Sequence, residues 1–532
     1  MSLKRTLGRN IVSNWAGYAV QVAVAFFLTP FILHSLGEAR YGVWTLAVGL
    51  TGYYGLLDLG FSSGITQYLT RYLVAKDLDR LNRTASSGVA VLTFCGAVVF
   101  LGSLAIAFNA SSLFQIPADA TTEAALVIAI MGVSVAMQFG FFTYSAVFTA
   151  LQRFDLSNSI GVATRILSAG AAVACLKLGY GLLGLSVVLA GTNLIDYLLR
   201  WRVARWLIPS MKISPTLVTR ESLGEVMKFG IWNFVTAGST RLISYTDSLV
   251  IAAFMPVAAV APFAIAANLR SYFDEIFVRV GFVFFPATTE LDAQGNRKGL
   301  ANLYLVSSKC MFLGSILCGS MGILWARDFF RLWLGTAYAE PVGYPSVASI
   351  FYLLILGSMV SVAQRIGYQV LLGIREVGLL AALFAAEGVA NLVMSIVLVR
   401  SHGLIGIAIG TLVPAVLFEG ILQPYFVCRS LQISLNKYCQ EVLLRPAIVL
   451  LALAPIYLTS PLWVRPGEWA TFFLGASASF AVAAPIVLLI GLRKSERDAL
   501  VMRPATVALG NLTINITRRR RTPYPPVKNK FF

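Results

Sequence analysis

Residues 85–108 read A-S-S-G-V-A-V-L-T-F-C-G-A-V-V-F-L-G-S-L-A-I-A-F, without one charged side chain. A helix rises about 1.5 Å per residue, so this run is long enough to cross the ~30 Å hydrocarbon core of a bilayer. Residues 11–34, 376–398 and 471–491 stay nearly free of charge over similar lengths. A large soluble protein would instead break its apolar residues into short stretches divided by polar faces. Composition agrees. Of 532 residues, 58% are hydrophobic and 12% charged, where a soluble domain carries roughly 25% charged residues. In hydrocarbon every backbone N–H and C=O must be paired internally, which leaves helices or closed barrels. Barrel strands would show alternating segments of roughly ten residues, and these are absent. The chain therefore reads as an all-α polytopic membrane protein.

On both sides of 85–108 the pattern repeats, and fourteen spans are expected, near 11–34, 42–70, 85–108, 122–150, 156–176, 181–199, 226–252, 258–286, 301–325, 345–372, 376–398, 403–427, 443–460 and 470–491. Asp58 interrupts the second, and the eighth carries Arg270, Asp274, Glu275 and Arg279. Charge tests the count. With fourteen spans, the connectors on one side hold Arg71, Lys76, Arg80 and Arg83, then Arg153, the group from Arg200 through Lys228, Arg297 and Lys298, Arg375, and Arg429, Lys437 and Arg445. The opposite connectors hold only Arg40, Lys177, Arg327, Arg331, Arg400 and Arg465. This is the positive-inside pattern repeated loop by loop, and dropping one span would spoil it. Both termini are thus expected in the cytoplasm, and the net charge of +18 is mostly topology. The first apolar segment is too long for a cleavable signal peptide and is followed at once by further spans.

The expected organisation is an N-terminal lobe at 1–200 with six spans, a cytoplasmic linker at 201–225, a C-terminal lobe at 226–427 with spans seven to twelve, two additional helices at 428–491 and a basic tail at 492–532. Each lobe opens with a basic lead and an early Trp-Asn pair, Trp15 with Asn14 and Trp232 with Asn233. Such an echo suggests two related bundles. The tail carries Arg518, Arg519, Arg520, Arg521, Lys528 and Lys530, which would draw it to anionic membrane lipids. Nucleic acid is not an expected partner, since no soluble domain presents the charge. Cys95, Cys175, Cys310 and Cys318 sit in apolar runs as small hydrophobes. His34 and His402 stand far apart without CxxC or HExxH, so neither metal nor cofactor is expected. No phosphate-binding G-x-x-x-x-G-K-[ST] loop exists, and the short outer connectors leave little room for an enzyme site.

Ionisable residues inside spans are costly and mark water or substrate paths unless they pair or snorkel to an interface. The candidates are Asp58, Arg165, Arg241, Asp247, Arg270, Asp274, Arg365 and Glu387. Arg241 and Arg165 stand near the middles of their spans, where an unpaired guanidinium would cost at least several kcal/mol. Arginines deep in different helices predict a cationic interior suited to an anionic cargo, because a guanidinium meets phosphate oxygens with two-pronged hydrogen bonds. Asp247 and Asp274 would temper that charge. Six residues apart, Arg241 and Asp247 share no helix face and are expected to act separately.

The stretches S-N-W-A-G-Y (13–18), F-L-T-P-F-I-L-H-S-L-G-E-A-R-Y-G-V-W (27–44) and L-L-D-L-G-F-S-S-G-I-T-Q-Y (56–68) resemble the polysaccharide biosynthesis transporters. These are the O-antigen-type flippases of the multidrug/oligosaccharidyl-lipid/polysaccharide exporter superfamily. Y-T-D-S-L-V-I-A-A-F (245–254), A-P-F-A-I-A-A-N-L (261–269), Y-G-L-L-G-L (180–185) and H-G-L-I-G-I-A-I-G (402–410) extend the likeness over roughly 8–491. The resemblance implies a two-lobed transporter of twelve to fourteen helices with a central cavity. Its cargo would be a lipid-linked oligosaccharide, typically on undecaprenyl diphosphate, moved across a bacterial inner membrane. Asp58 and Asp247 are the acids that match the family pattern. Arg165, Arg241, Arg270 and Arg365 rest on placement alone, and Trp15, Tyr18, Asn233 and Tyr245 are expected to line the glycan path. A tail of about 40 residues lies outside the usual pattern and leaves room for a partner such as a polysaccharide polymerase or glycosyltransferase. The rival expectations are a cation-coupled multidrug exporter, a lipid II flippase, and a scaffold whose tail recruits synthesis enzymes.

Overall fold

The computed structural model describes residues 3–58, 60–459 and 467–497, with side chains except at 3–13, 226–237 and 458. The side chain of Asn233 and the tail from residue 498 lie outside that description. Among the described residues the backbone is almost wholly helical, and the one β pairing is an isolated bridge between Gln115 and Pro256. Ten of these helices are long and apolar enough to cross a membrane.

Two of the long helices are broken at a glycine. Leu3–Tyr54 turns at Gly37 (φ 75°, ψ 170°) and Val377–Pro414 turns at Gly403 (φ 54°, ψ −134°). An L side chain is strained at such φ, and glycine is not. The kink at Gly37 falls between the expected spans 11–34 and 42–70, and that at Gly403 falls on the first residue of 403–427, just after 376–398. The second expected span is itself broken. A 3₁₀ turn at Gly55–Asp58 ends it, Gly60 follows with φ 77°, and a new helix runs Phe61–Ala75. Asp58 accepts hydrogen bonds from the Ser62 N–H at 3.0 Å and from Ser62 Oγ at 2.6 Å. The acid that interrupts the apolar run thus satisfies a free amide of the restarted helix. The tenth expected span also parts, at Gln364, between Val347–Ala363 and Arg365–Gly373.

Connectors meet one another in two groups. In one, Arg40 pairs with Glu123 at 2.9 Å, the Gln115 N–H donates to Ala252 O at 2.9 Å, Arg400 lies over the Phe254 ring, and His34 packs on Tyr338. In the other, the stretch 208–219 lies against the start of Leu78–Phe108, with Lys212 N donating to Asn82 Oδ1 and Ser214 N to Ser86 Oγ. Arg297 Nη1 likewise donates to Ser430 O at 3.0 Å. The first set of contacts joins sparsely charged connectors, and the second set lies among basic ones.

The helices through Gly181–Leu207 pack mainly on one another, and those from Arg220–Phe254 onward do the same. Leu3–Tyr54 and Phe61–Ala75 form the seam against Arg220–Phe254 and Val260–Phe282. One apolar core runs across it, joining Val43 and Leu46 to Val257, Phe263 and Ile265. Phe94, Phe108, Leu451 and Leu474 point outward and exposed. In water such residues would destabilise the fold, whereas lipid tails solvate them as well as a protein core does.

Candidate functional site

Three polar clusters stand along and behind the seam. The first is built around Arg241, whose Nη1 donates to Gly52 O at 2.7 Å across the seam. Space for it comes from missing side chains. A Cβ on Gly55 would lie 2.5 Å from Arg241 Cζ, and one on Gly52 would lie 2.5 Å from Tyr245 Cζ. Arg241, Tyr245 and Asp58 line one cleft of ≈ 320 Å³ with Thr51, Ser62 and Gln138. The Asp58 carboxylate, in the same lining, lies within electrostatic reach of Arg241. Its guanidinium carries five N–H donors, of which Gly52 O takes one, so most remain for what enters the cleft. Tyr53 and Thr246 share a hydroxyl–hydroxyl hydrogen bond alongside.

A further cleft, of ≈ 270 Å³, gathers Arg165, Arg200 and Arg279 with Asn14, Tyr18 and Asn158. Arg279 lies 4.7 Å from the Tyr18 ring centroid and 6.0 Å from that of Trp15, and pairs with Glu275 at 2.7 Å. Arg200 is held by Asp196 at 2.5 Å and donates to Ser157 Oγ at 2.8 Å. Asn158 Nδ2 donates to Asn14 Oδ1 at 2.6 Å. Arg165 is exposed into this space with no ion pair among the described residues. Trp15 therefore stands at the edge of a cationic cleft, as a stacking partner of Arg279.

The third cluster is buried. Asp247 accepts from Thr411 Oγ1 at 2.9 Å and from Ser395 Oγ at 3.4 Å, and Asn391 Nδ2 donates to Thr411 Oγ1 at 3.1 Å. The buried Asn391 Oδ1 is left without a partner. Oxygen atoms converge here from helices Arg220–Phe254 and Val377–Pro414, a donor set suited to a proton or a hard cation. Arg241 faces the seam and Asp247 faces Val377–Pro414, so the two act on different sides of their helix. Arg270 pairs with Asp274 at 3.5 Å. Glu387 is buried within electrostatic reach of Glu419, Arg365 and Arg270. Acids therefore surround Arg270 and Arg365, which sit apart from the cleft of Arg241.

Arg200 and Arg279 escaped sequence reading. Arg200 sits at a span's end among connector charges, and Arg279 has the pattern of an interfacial arginine beside Glu275. Their common cleft forms only when helices 154–177, 181–207 and 260–282 come together.

A family model described as polysaccharide biosynthesis protein matches residues 7–292, more than half of the chain. The chain belongs to the polysaccharide biosynthesis protein family. Both arginine-lined clefts and Asp247 lie within the part matched to this family, whereas Arg365, Glu387 and Thr411 lie beyond it. A Shigella flexneri protein named "Putative O-antigen transporter" is 22% identical over 419 residues, covering 78% of this chain and 96% of that protein. The fold is similar to that of the lipid II flippase MurJ in an inward closed conformation, with TM-score 0.68 at 13% identity, over 90% of this chain and 98% of that one. It is also similar to an inward-facing multidrug resistance MATE family transporter of the MOP superfamily, with TM-score 0.62 at 16% identity, over 76% of this chain and 94% of that one.

Proposed function

We propose that this member of the polysaccharide biosynthesis family flips a lipid-linked oligosaccharide, of the undecaprenyl diphosphate type, across a bacterial inner membrane without changing it chemically. The observation that carries this reading is Arg241, a guanidinium at the seam that gives one hydrogen bond to Gly52 O, has Asp58 within electrostatic reach and opens on a polar cleft. A diphosphate is the cargo group that such a donor array fits. The sugar head, too polar to cross hydrocarbon unaided, follows the polar side chains of Tyr245, Gln138 and Asn158, while the polyprenyl tail stays in lipid. The cleft of Arg165, Arg200 and Arg279 receives the head at the basic end. Asp247, with its hydroxyl partners, is the acid through which an ion gradient would act.

The same reading takes fourteen spans in two lobes, divided at the connector 201–225, with both termini in the cytoplasm. It gives the basic tail a role at anionic lipids or at a polymerase or glycosyltransferase. The deciding experiment is leaflet-resolved measurement of lipid-linked oligosaccharide in cells depleted of the protein. Completed glycan gathering on the cytoplasmic face supports a flippase and delivers the cargo for identification. A normal distribution, in a strain without a second flippase, overturns it in favour of drug export or scaffolding. Drug sensitivity on overexpression then separates those two.

A further inference from the structure

A large cavity lies outside the clefts of Arg241 and Arg165, with none of their lining residues. It measures ≈ 920 Å³ and sits where the start of Arg297–Leu334, the connector after Gln423–Leu431 and the chain beyond Trp469–Gly491 come together. Five basic side chains line it, Arg297, Lys298, Lys309, Lys437 and Arg493, against two acidic ones, Glu441 and Glu496. Two helices point their amino termini at it. Asn296 Oδ1 caps the one beginning at Arg297, accepting from the Gly299 N–H at 2.9 Å, and Ser434 Oγ caps the one that runs from Leu435 to Tyr457. Helix N-termini carry partial positive charge and free N–H groups, which favour anions.

One member is unusual. Lys309 is only 1% exposed, and its ammonium is held by Glu496 at 2.5 Å, with Glu441 at 4.0 Å. Glu441 in turn accepts from Arg493 at 2.7 Å. The two acids are thus used up on the buried Lys309 and the exposed Arg493. Arg297 spends one N–H on Ser430 O, while Lys298 and Lys437 are exposed at the rim. The cavity keeps an excess of positive charge, and Leu305, Val306 and Ile433 give its wall an apolar side.

We propose that this cavity is a binding site for a phosphate-bearing anion, with the headgroup of an anionic lipid as its expected source, separate from the path of the cargo. Basic pockets between helix ends at the basic face of a membrane protein suit such headgroups, and the apolar wall would receive the glycerol and first methylenes. Bound there, a headgroup ties helix 297–334 to helix 435–457 and to the root of the tail, and competes with Glu496 for Lys309.

The test uses the purified full chain in detergent, with thermal stabilisation read during titration of phosphatidylglycerol, phosphatidylcholine or inorganic pyrophosphate. Phosphatidylglycerol should stabilise and phosphatidylcholine should not. Lys298→Ala/Lys437→Ala changes exposed residues alone and should weaken the apparent affinity about thirtyfold, as the loss of two near-surface cations implies. Lys298→Arg/Lys437→Arg should retain it. Glu496→Gln, which frees Lys309, should tighten binding severalfold. The basic tail is present in every variant, so its own attraction to lipid cancels. Pyrophosphate stabilising with the same dependence on the variants would keep the site and make a soluble phosphate compound its ligand. Equal affinity of the wild type and the double alanine variant, or equal response to both lipids, would overturn the site. Unchanged affinity in Glu496→Gln would remove Lys309 from it.

Discussion

A guanidinium deep in a membrane-spanning helix persists only where something meets its donors, and among the described residues Arg241 has one hydrogen-bond acceptor, the carbonyl of Gly52. Gly55 is what lets it lie there. Gly55→Ala puts a methyl 2.5 Å from Arg241 Cζ and must displace the guanidinium while leaving every charge in place. Transport should fall about tenfold, the size of one mispositioned charged hydrogen bond, with normal amounts in the membrane. Arg241→Ala should be more severe, and the pair no worse than Arg241→Ala alone. Wild-type transport by Gly55→Ala would remove Arg241 from the cargo path. Thr411 sets a different constraint. Thr411→Val strips from the buried Asp247 its donor at 2.9 Å and should cost about 1–3 kcal/mol, read as a lower thermal midpoint. Asp247→Asn should recover part of that loss in the double variant, because a neutral amide tolerates burial better than a carboxylate. Failure to recover any of it would mean that the Asp247 carboxylate is not what Thr411 serves.

At the scale of the helix, existence was legible and pairing was not. The charge-free run at 85–108 lies within Leu78–Phe108 because hydrocarbon leaves the backbone no other choice. Arg241 could be singled out from its place in the span. The pairing of Arg270 with Asp274, four residues on, is local, but nothing local shows that Arg365 faces Glu387 or that Arg200 and Arg279 join Arg165, since those neighbours come from other helices. The same holds for the cavity around Lys309, assembled from residues 297–309, 431–441 and 493–496. The contact of Leu3–Tyr54 with the turn at Val257–Ala259 is another case, and it makes its own prediction. A Cβ on Gly42 would fall 2.1 Å from Val257 O, a backbone atom with nowhere to retreat. The seam is shut at this end by that contact and by Trp333, whose Nε1 donates to Phe26 O at 2.7 Å amid stacked aromatic rings. If the lobes rock, Gly42→Ala should hold this end apart. A cysteine at Ser248, near Gly49 on the facing helix, should then gain reactivity toward a polar thiol reagent while transport falls. Unaltered reactivity would mean that the seam does not part there.

For the whole molecule, the question is how many times the chain crosses the bilayer. Ten helices qualify by length and apolarity, and two of them are broken by glycine turns; the fourteen-span reading needs each turn to separate two crossings. The stretch between residues 210 and 342 is the most exacting part, because its middle crossing carries Arg270, Asp274, Glu275 and Arg279. Three crossings there place Ser210 and Val342 on opposite sides, whereas two or four place them on the same side. Single cysteines at Ser210, Ala293, Ala118 and Val342 would decide it, all four positions being exposed. They belong in a background cleared of the six native cysteines, of which Cys318 and Cys439 are exposed. In intact cells a membrane-impermeant thiol reagent should label Ala118→Cys and Val342→Cys, and should reach Ser210→Cys and Ala293→Cys only after permeabilisation. The basic residues beside positions 210 and 293 are the reason for expecting those connectors inside. Labelling of Ser210→Cys and Val342→Cys from the same side would break the alternation.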